Sequence, residues 1–178
     1  MGKWVVLAVA AGLVAVPAMG KAPVAKKAVA PLAVAALLKG DAGPAGVASL
    51  VQGKDGVALK LALTGLPAGV HAVHLHTRGV CEVAAFTSAG GHLNPAGHQH
   101  GRDNPMGAHM GDLPNIIVGA DGKADVTLPL GYKADELLAA MFDKDGAAVV
   151  VHAAPDDYKS DPTGNAGGRI ACGVWMRG

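Results

Sequence analysis

Histidines are the residues of this sequence whose spacing most clearly predicts chemistry. All eight of them lie between positions 71 and 152. His74 and His76 are two residues apart in the apolar segment HAVHLH. On a β-strand both imidazoles would therefore project from the same face and could converge on one metal ion. Two surface histidines on one strand would show the same spacing, so this pair alone is a weak indication of a site.

A second group of candidate ligands follows in a long segment rich in Gly, Pro and Asn, GGHLNPAGHQHGRDNPMGAHMGDLPN. It contains three histidines and one aspartate at spacings suited to metal binding, namely His92, His100, His109 and Asp112. Three neutral imidazoles and one carboxylate form a complete tetrahedral set for Zn²⁺, with no open position. A closed set is typical of a structural metal site, which would hold the long segment in shape.

These motifs resemble those of the copper/zinc superoxide dismutases, in particular the bacterial periplasmic branch. The resemblance covers most of the chain from Leu32 to Gly178. The motifs that carry it are HLHTRGVC (74–81), SAGGHLNP (88–95), HG (100–101), HMGDL (109–113), VVVH (149–152) and GNAGGRIACG (164–173). Seven candidate ligands, both cysteines and the C-terminal segment agree in order, so the match is specific.

The resemblance implies how the ligands divide between one copper and one zinc ion per subunit. Carried over residue by residue, copper binds His74, His76, His92 and His152, and zinc binds His92, His100, His109 and Asp112. His92 would bridge both ions as an imidazolate. Copper cycles between two oxidation states and zinc does not, so only the copper site can exchange electrons. His92 would also be a catalytic acid that delivers a proton to the second superoxide.

Two further residues have roles that the resemblance implies. Arg169, in GGRIACG, matches an arginine that attracts and orients the anionic substrate, and its guanidinium stays charged at any working pH. A surface arginine paired with a carboxylate is the simpler alternative. Asp156, four residues after His152, matches an aspartate that links the two metal sites by hydrogen bonds to His74 and His100.

Three neighbouring residues are expected to lie outside the metal sites. His71 has the opposite strand parity to the copper ligands, so its side chain points away from them. We place His98 on the surface of the long loop. Asp157, next to Asp156, is interpreted as a solvated loop charge.

Short apolar runs separated by turn residues predict the elements that position these ligands. In 57–63, leucine and valine alternate with smaller or charged residues, which predicts a strand with one face on a core. Similar runs occur at 32–38, 46–52, 71–76, 115–119, 123–128, 147–152 and 170–176. Three Asp-Gly pairs, at 55–56, 121–122 and 145–146, predict hairpins. Only Ala134 to Ala140 is typical of a helical turn.

About eight short strands at this spacing define the expected fold class. It is all-β: an eight-stranded antiparallel Greek-key barrel or sandwich, immunoglobulin-like, with two long functional loops. These loops, 77–114 and 153–169, are too long and too rich in Gly, Pro and Asn to be turns. Long loops in a compact domain are usually functional or disordered, and the histidines favour function.

The N-terminal segment differs from the rest of the chain. Met-Gly-Lys precedes seventeen uncharged residues, Trp4 to Gly20, which are rich in Ala and Val and end in small residues. This is typical of a signal peptide over 1–20, with an uncleaved membrane anchor as the alternative. Residues 21–31 are a predicted flexible linker, and 32–178 form the dismutase domain. We expect a periplasmic protein without stable membrane insertion after cleavage.

Cysteine use and charge narrow the class of protein further. In an oxidising compartment two cysteines more often form one bridge than two free sites, so we expect a Cys81–Cys172 disulfide, with two buried thiols as the alternative. The formal net charge is +1 and only 3% of residues are aromatic. A nucleic-acid surface needs a basic footprint and often stacking rings, so nucleic acid is excluded as a partner.

The resemblance, supported by these observations, implies an enzyme with superoxide as its substrate. It would convert superoxide to oxygen and hydrogen peroxide by alternate reduction and reoxidation of copper, in antioxidant defence of the cell envelope. The alternative is a non-catalytic periplasmic copper/zinc-binding module, which would need neither a bridging histidine nor an anion-orienting arginine. A purely structural domain would not require seven ligands in register. A homodimer is compatible with the sequence, although no run identifies a self-complementary surface.

Overall fold

Antiparallel β-strands are the main regular secondary structure of the protein in a computed structural model that describes residues 1–2 and 30–178. The strands are β1 (Ala33–Lys39), β2 (Pro44–Gly53), β3 (Gly56–Leu63), β4 (Gly69–His71), β5 (Val73–His76), β6 (Ile116–Val118), β7 (Ala124–Pro129), β8 (Ala148–His152), β9 (Arg169–Val174) and β10 (Met176–Arg177). Among the described residues, one α-helix, α1 (Ala134–Met141), lies between β7 and β8, and a short 3-10 helix, Thr87–Ala89, lies between β5 and β6. The signal peptide and most of the linker predicted above lie outside the described residues. Within the described part, no helix has the length and apolarity needed to cross a membrane.

Eight of the strands form one curled antiparallel sheet, a half-barrel. Its order is β5-β8-β9-β1-β2-β3-β7, with β10 pairing to β1, while β4 and β6 form a separate two-stranded ribbon. The chain crosses from β7 at one edge to β8 near the other edge, and such a crossing is typical of Greek-key folds. The predicted all-β antiparallel fold class is confirmed.

The concave side of the sheet carries the hydrophobic core. In β3, the four predicted core residues are each at most 3% exposed, whereas Lys60 and Ala62 between them face solvent. Helix α1 buries Leu137 and Met141 in the same core. Fully burying an aliphatic side chain contributes about 1.5–3 kcal/mol, so this alternation accounts for the strand register.

Two of the predicted strand runs are divided in the structure. The run 71–76 breaks at Ala72, whose N–H donates to the Ala154 carbonyl and whose carbonyl accepts the His152 N–H. The run 170–176 breaks at Trp175, whose N–H donates to the Ala147 carbonyl. The backbone hydrogen bonds of Ala72 and Trp175 do not belong to a continuous strand ladder. Each of the two runs is therefore divided into two strands, and the eight predicted runs correspond to ten strands.

The prediction of three Asp-Gly hairpins is right for one pair and wrong for two. The pair at 55–56 belongs to the β2–β3 hairpin, where Gly53 is opposite Gly56. The pair at 121–122 joins β6 to β7, which lie in different sheets, and the pair at 145–146 joins α1 to β8. Near the latter, the Asp143 carboxylate accepts the N–H groups of Asp145 and Gly146. Turn residues reverse the chain locally, but the flanking segments decide whether the strands pair.

A disulfide joins the long loop 77–114 to the sheet. Cys81 in the loop is bonded to Cys172 on β9, with their Cα atoms 5.8 Å apart. The predicted pairing is confirmed, and the alternative of two buried thiols is wrong. The bridge fixes the start of the loop beside the strand that carries Arg169.

Candidate metal centre

The edge of the main sheet positions three of the histidines. On β5, His74 and His76 are both fully buried, and β5 pairs with β8, which ends at His152. His152 is 3% exposed and lies opposite Arg169 in the β8–β9 register. The HxH spacing thus places two imidazoles on one strand face, and the neighbouring strand adds the third.

The long loop docks on β5 through backbone hydrogen bonds. Two segments of the loop bond to the backbone of Leu75. The Leu75 N–H donates to the Gly111 carbonyl, and the Leu75 carbonyl accepts the Leu93 N–H. These bonds bring His92 and Asp112 beside the strand. A side chain at Gly111 would collide with the Leu75 carbonyl, so the close approach of the loop requires glycine there.

The structure brings all seven predicted ligands together in two groups that share His92. One group consists of His74, His76, His92 and His152, and the other of His92, His100, His109 and Asp112. Within each group the candidate ligand atoms all lie within 4.8 Å of one another. The rings of His74 and His92 have centroids only 3.9 Å apart, so the two groups form one continuous centre.

Each imidazole of the first group presents one free nitrogen to the centre. Within the described residues, these buried atoms have no hydrogen-bond partner: His74 Nδ1, His76 Nε2, His92 Nε2 and His152 Nε2. The opposite nitrogens are held by the Asp156 carboxylate, the Gly90 carbonyl, the Asp112 carboxylate and the Gly167 carbonyl, respectively. Metal-binding histidines typically show this division, in which one nitrogen is oriented by the protein and the other is left for the ion.

The second group converges on one carboxylate oxygen. The Oδ1 atom of Asp112 lies 2.9 Å from His92 Nδ1, 3.0 Å from His100 Nδ1 and 3.1 Å from His109 Nδ1. Its Oδ2 atom accepts the N–H groups of Gly101 and His109 and is thereby held in place. Four ligand atoms that face one another are the donor set expected of a closed tetrahedral site.

Burial favours the neutral form of three imidazoles of the first group, those of His76, His92 and His152. Loss of hydration, together with the neighbouring histidines, lowers the pKa of His92 to about 4, that of His152 to about 3 and that of His76 to about 2. Burial raises the pKa of Asp112, but hydrogen bonds from His92 and the Gly101 N–H outweigh it and hold that pKa well below its usual range. Neutral imidazoles and an ionised carboxylate are the forms that bind metal.

Asp156 connects the two groups. Its Oδ2 atom is 2.8 Å from His74 Nε2, its Oδ1 atom is 2.9 Å from His100 Nε2, and the residue is 4% exposed. Burial raises the pKa of this carboxyl, but the hydrogen bonds from the two histidines outweigh burial and leave the pKa lowered. An ionised Asp156 accepts from both rings and so fixes their free Nδ1 atoms toward the centre.

Gly164 allows loop 153–169 to fold back closely against Asp156, which lies near the start of the same loop. A Cβ atom there would collide with the Asp156 carboxylate and the His100 ring, and its φ of +63° disfavours any other residue. We expect Gly164→Ala to weaken zinc binding and to lower the free energy of unfolding by about 1–2 kcal/mol from the backbone conformation alone. Zinc affinity and denaturant unfolding measure both effects.

Gly168→Ala is the matched control, because a Cβ there meets nothing within 4 Å and its φ is not in the left-handed region. Gly168→Ala should leave the zinc affinity and the free energy of unfolding unchanged. Equal effects of the two substitutions would contradict the role given to Gly164.

Arg169 is anchored beside the first group. Its Nη1 and Nη2 atoms donate to the carbonyls of Phe86 and Gly90, both at 2.6 Å. The Gly90 carbonyl also faces His76 Nδ1 at 2.9 Å, so the arginine and a histidine of the first group share one acceptor. Burial lowers the pKa of the guanidinium, which nevertheless stays charged. Its contacts are carbonyls rather than a carboxylate, so the simple surface ion pair does not describe it.

His71, His98 and Asp157, which are expected outside the centre, belong to none of the groups of candidate metal ligands. His71 is buried and lies between the carbonyls of His152 and Pro67, and His98 is exposed with Nδ1 3.0 Å from the Ala108 carbonyl. Sequence reasoning missed other contributors, above all the backbone carbonyls that orient the rings, which carry no sequence signal. It also missed Asp161, whose carboxylate accepts the His100 N–H at 2.6 Å.

The donor set fits two different ions. All-imidazole ligation suits a redox-active copper ion, and three imidazoles with a carboxylate suit zinc. The unpartnered buried nitrogens support this, because a buried polar atom without a partner costs about 1–3 kcal/mol. Fold and site together define a protein of the antiparallel β class with two adjacent candidate metal sites that share one histidine.

Comparison with known proteins gives the family. Residues 44–175 match the family model described as "Copper/zinc superoxide dismutase (SODC)". The chain is 48% identical over 127 residues to "Superoxide dismutase [Cu-Zn] 2" of Aquifex aeolicus, covering 67% of this chain and 71% of that protein. It is also 48% identical over 123 residues to "Superoxide dismutase [Cu-Zn]" of Caulobacter vibrioides, with the same coverage. The chain belongs to the copper/zinc superoxide dismutase family.

Solved structures agree with this assignment. A SOD-like protein from Bacillus subtilis is similar with a TM-score of 0.73 and 36% identity, over 79% of this chain and 96% of that one. The Cu/Zn superoxide dismutase from Brucella abortus is similar with a TM-score of 0.65 and 29% identity, over 79% of this chain and 97% of that one. Copper and zinc are the cofactors that this family implies, and superoxide is its substrate.

Proposed function

We propose that this chain is an exported superoxide dismutase whose two histidine groups hold different ions. His74, His76, His92 and His152 would bind copper, and His92, His100, His109 and Asp112 would bind zinc. The enzyme converts superoxide to oxygen and hydrogen peroxide and thereby protects the cell envelope. Copper supplies the reversible one-electron change, and zinc supplies fixed charge and order.

The position of His92 is the observation that carries the proposal. Its Nε2 atom is buried without a partner on the side of His74, His76 and His152, while its Nδ1 atom faces the Asp112 carboxylate at 2.9 Å. One imidazole thus has one nitrogen in each group. A protein that only stored the two metals would not need its sites to share a ligand.

The chain's own residues supply substrate binding and a proton. Arg169, anchored by two carbonyls, presents a fixed positive charge beside the copper group and can orient a small anion. His92 Nε2 is the site where we place the transferable proton, because this nitrogen has no partner and the other is held by Asp112. A positioned acid of this kind typically contributes 10²–10⁴-fold to a rate.

The direct test is superoxide decay after pulse radiolysis with the protein loaded with copper and zinc. Turnover of many substrate molecules per copper is expected. Consumption of superoxide only in proportion to the protein added would instead indicate a metal-binding module without catalysis. The metal-free protein serves as the blank in the same experiment.

Replacing Arg169 with isoleucine should slow the reaction without removing copper. The side chain would lose its charge and its bonds to the Phe86 and Gly90 carbonyls, so we expect kcat/KM to fall about 10–100-fold, less than for a fully enclosed anion donor. Inhibition by small anions such as azide should weaken as well. Arg169→Lys, which keeps the charge, should retain more activity than the isoleucine variant. An unchanged rate in the isoleucine variant would show that the role of the arginine is structural.

Export is part of the proposal and has its own test. We propose that residues 1–20 are removed as a signal peptide, that 21–31 are a linker, and that 32–178 form the periplasmic enzyme without stable membrane insertion. Mass spectrometry of the exported protein should show a start near Lys21, whereas a chain retaining Met1 would indicate an anchor. A homodimer stays a prediction, which sedimentation of the loaded protein decides.

A further inference from the structure

Asn115 joins the two long loops at the point where they meet behind the metal centre. It lies just before β6, three residues after Asp112, and is partly buried. Its side chain donates one hydrogen bond to the backbone of Asp156 and accepts another from it. The Asn115 Nδ2 atom donates to the Asp156 carbonyl at 2.9 Å, and the Asp156 N–H donates to Asn115 Oδ1 at 2.8 Å.

Tyr158 completes the attachment. Its hydroxyl accepts the Asn115 N–H at 2.8 Å, and its own N–H donates to Asp156 Oδ1 at 2.7 Å. The guanidinium of Arg102 lies over the Tyr158 ring, 3.9 Å from the centroid, and this contact favours one ring position. The N–H, the carbonyl and the carboxylate of Asp156 are therefore all held by this pair.

The position of Asp156 decides how two rings are oriented. Its two carboxylate oxygens contact His74 Nε2 and His100 Nε2, one from each metal group. A shift of the Asp156 backbone would move both contacts together. Among the hydrogen bonds of the described residues, Asp156 is the only side chain that contacts the Nε2 atom of His74 or of His100.

We propose that Asn115 is a positioning residue for both metals. By fixing the Asp156 backbone, it sets the orientation of His74 and His100 and so the affinity of both sites. This proposal rests on the function proposed above, because it takes His74 as a copper ligand and His100 as a zinc ligand. Removing a partner that orients a metal-bound histidine typically costs 10–100-fold in affinity.

Asn115→Ala tests the proposal through metal affinity rather than activity. Purified protein is made metal-free, and the affinities for zinc alone and for copper alone are measured by competition with a chromophoric chelator. We expect both metal affinities to fall about tenfold, at the lower end of that range, since the effect of Asn115 passes through one further residue. Cobalt(II) bound in place of zinc should also show altered d–d bands, because these report ligand geometry.

Asn165→Gly is the matched control. Asn165 lies in loop 153–169 with Asp156, but its side chain donates to Asp157 and Ser160 and not to Asp156. Glycine suits its φ of +52°. This variant should keep both metal affinities, and metal-free unfolding of the two variants shows how much stability each substitution costs.

The outcomes separate the proposal from its alternatives. Metal affinities within about twofold of the wild type in Asn115→Ala would overturn it, as would losses equal to those of Asn165→Gly. If Asn115→Ala does not fold, Asn115→Asp takes its place, because it keeps the acceptor of the Asp156 N–H and removes the donor to the Asp156 carbonyl, and an unchanged affinity there would overturn the proposal equally. A wild-type protein that binds both metals without turnover would refute the proposed activity. The comparison of metal affinities between the variants and the wild type would still test the role of Asn115.

Discussion

Replacing His152 with alanine is expected to abolish superoxide turnover while zinc stays bound. His152 belongs only to the first group, where its Nε2 atom is buried without a partner. The substitution removes one of four proposed copper ligands and none of the proposed zinc ligands. Since only copper can change oxidation state, loss of a copper ligand stops electron transfer even when the rest of the centre is intact.

Metal analysis and pulse radiolysis on the same preparation measure both halves of this prediction. We expect copper content to fall well below one per chain and zinc to remain close to one. His98→Ala is the control, because His98 is an exposed histidine of the zinc-bearing loop that lies outside both groups. Parallel loss of copper and zinc in His152→Ala would refute the proposed division of ligands.

Removing the disulfide should have the largest effect on stability. Cys81 and Cys172 are 91 residues apart, and in the chain-entropy model a cross-link that closes a loop of that length reduces the entropy of the unfolded chain and so destabilises it by about 4–5 kcal/mol. We expect Cys81→Ala with Cys172→Ala to lower the free energy of unfolding by about this amount. Urea denaturation of both proteins under oxidising conditions measures the difference.

A reductant provides the internal control. It should destabilise the wild type and leave the double variant unchanged, because the variant has no bridge to break. The double variant should also show a lower kcat/KM, since the bridge holds the loop segment whose Phe86 and Gly90 carbonyls anchor Arg169. A difference in unfolding free energy below about 1 kcal/mol would show that the native contacts alone hold the loop.

The sequence predicted which side chains come together in the two groups, because the grouping depends on residue types and their spacing. His74 and His76 are two residues apart, and strand geometry converts that spacing into a shared face. The closed set from His92 to Asp112 is recognisable from its composition alone. The alternation in β3 likewise appears directly in the burial of its residues.

Features that depend on the backbone were not predictable in the same way. The carbonyls of Gly90 and Gly167 orient His76 and His152, yet every residue has a carbonyl, so no residue type indicates such a role. The break at Ala72 arises from hydrogen bonds to residues some 80 positions away. Two of three Asp-Gly pairs were wrongly assigned to hairpins because turn residues carry no information about which strands pair.

The order in which the two sites can assemble follows from where their ligands lie along the chain. The proposed zinc ligands all fall between His92 and Asp112, whereas the proposed copper ligands extend from His74 to His152, on strands that pair across the edge of the sheet. Bringing together distant residues costs more chain entropy than closing a short loop. A folding chain can therefore assemble the zinc ligands early, and it completes the copper ligands only once β8 has joined β5.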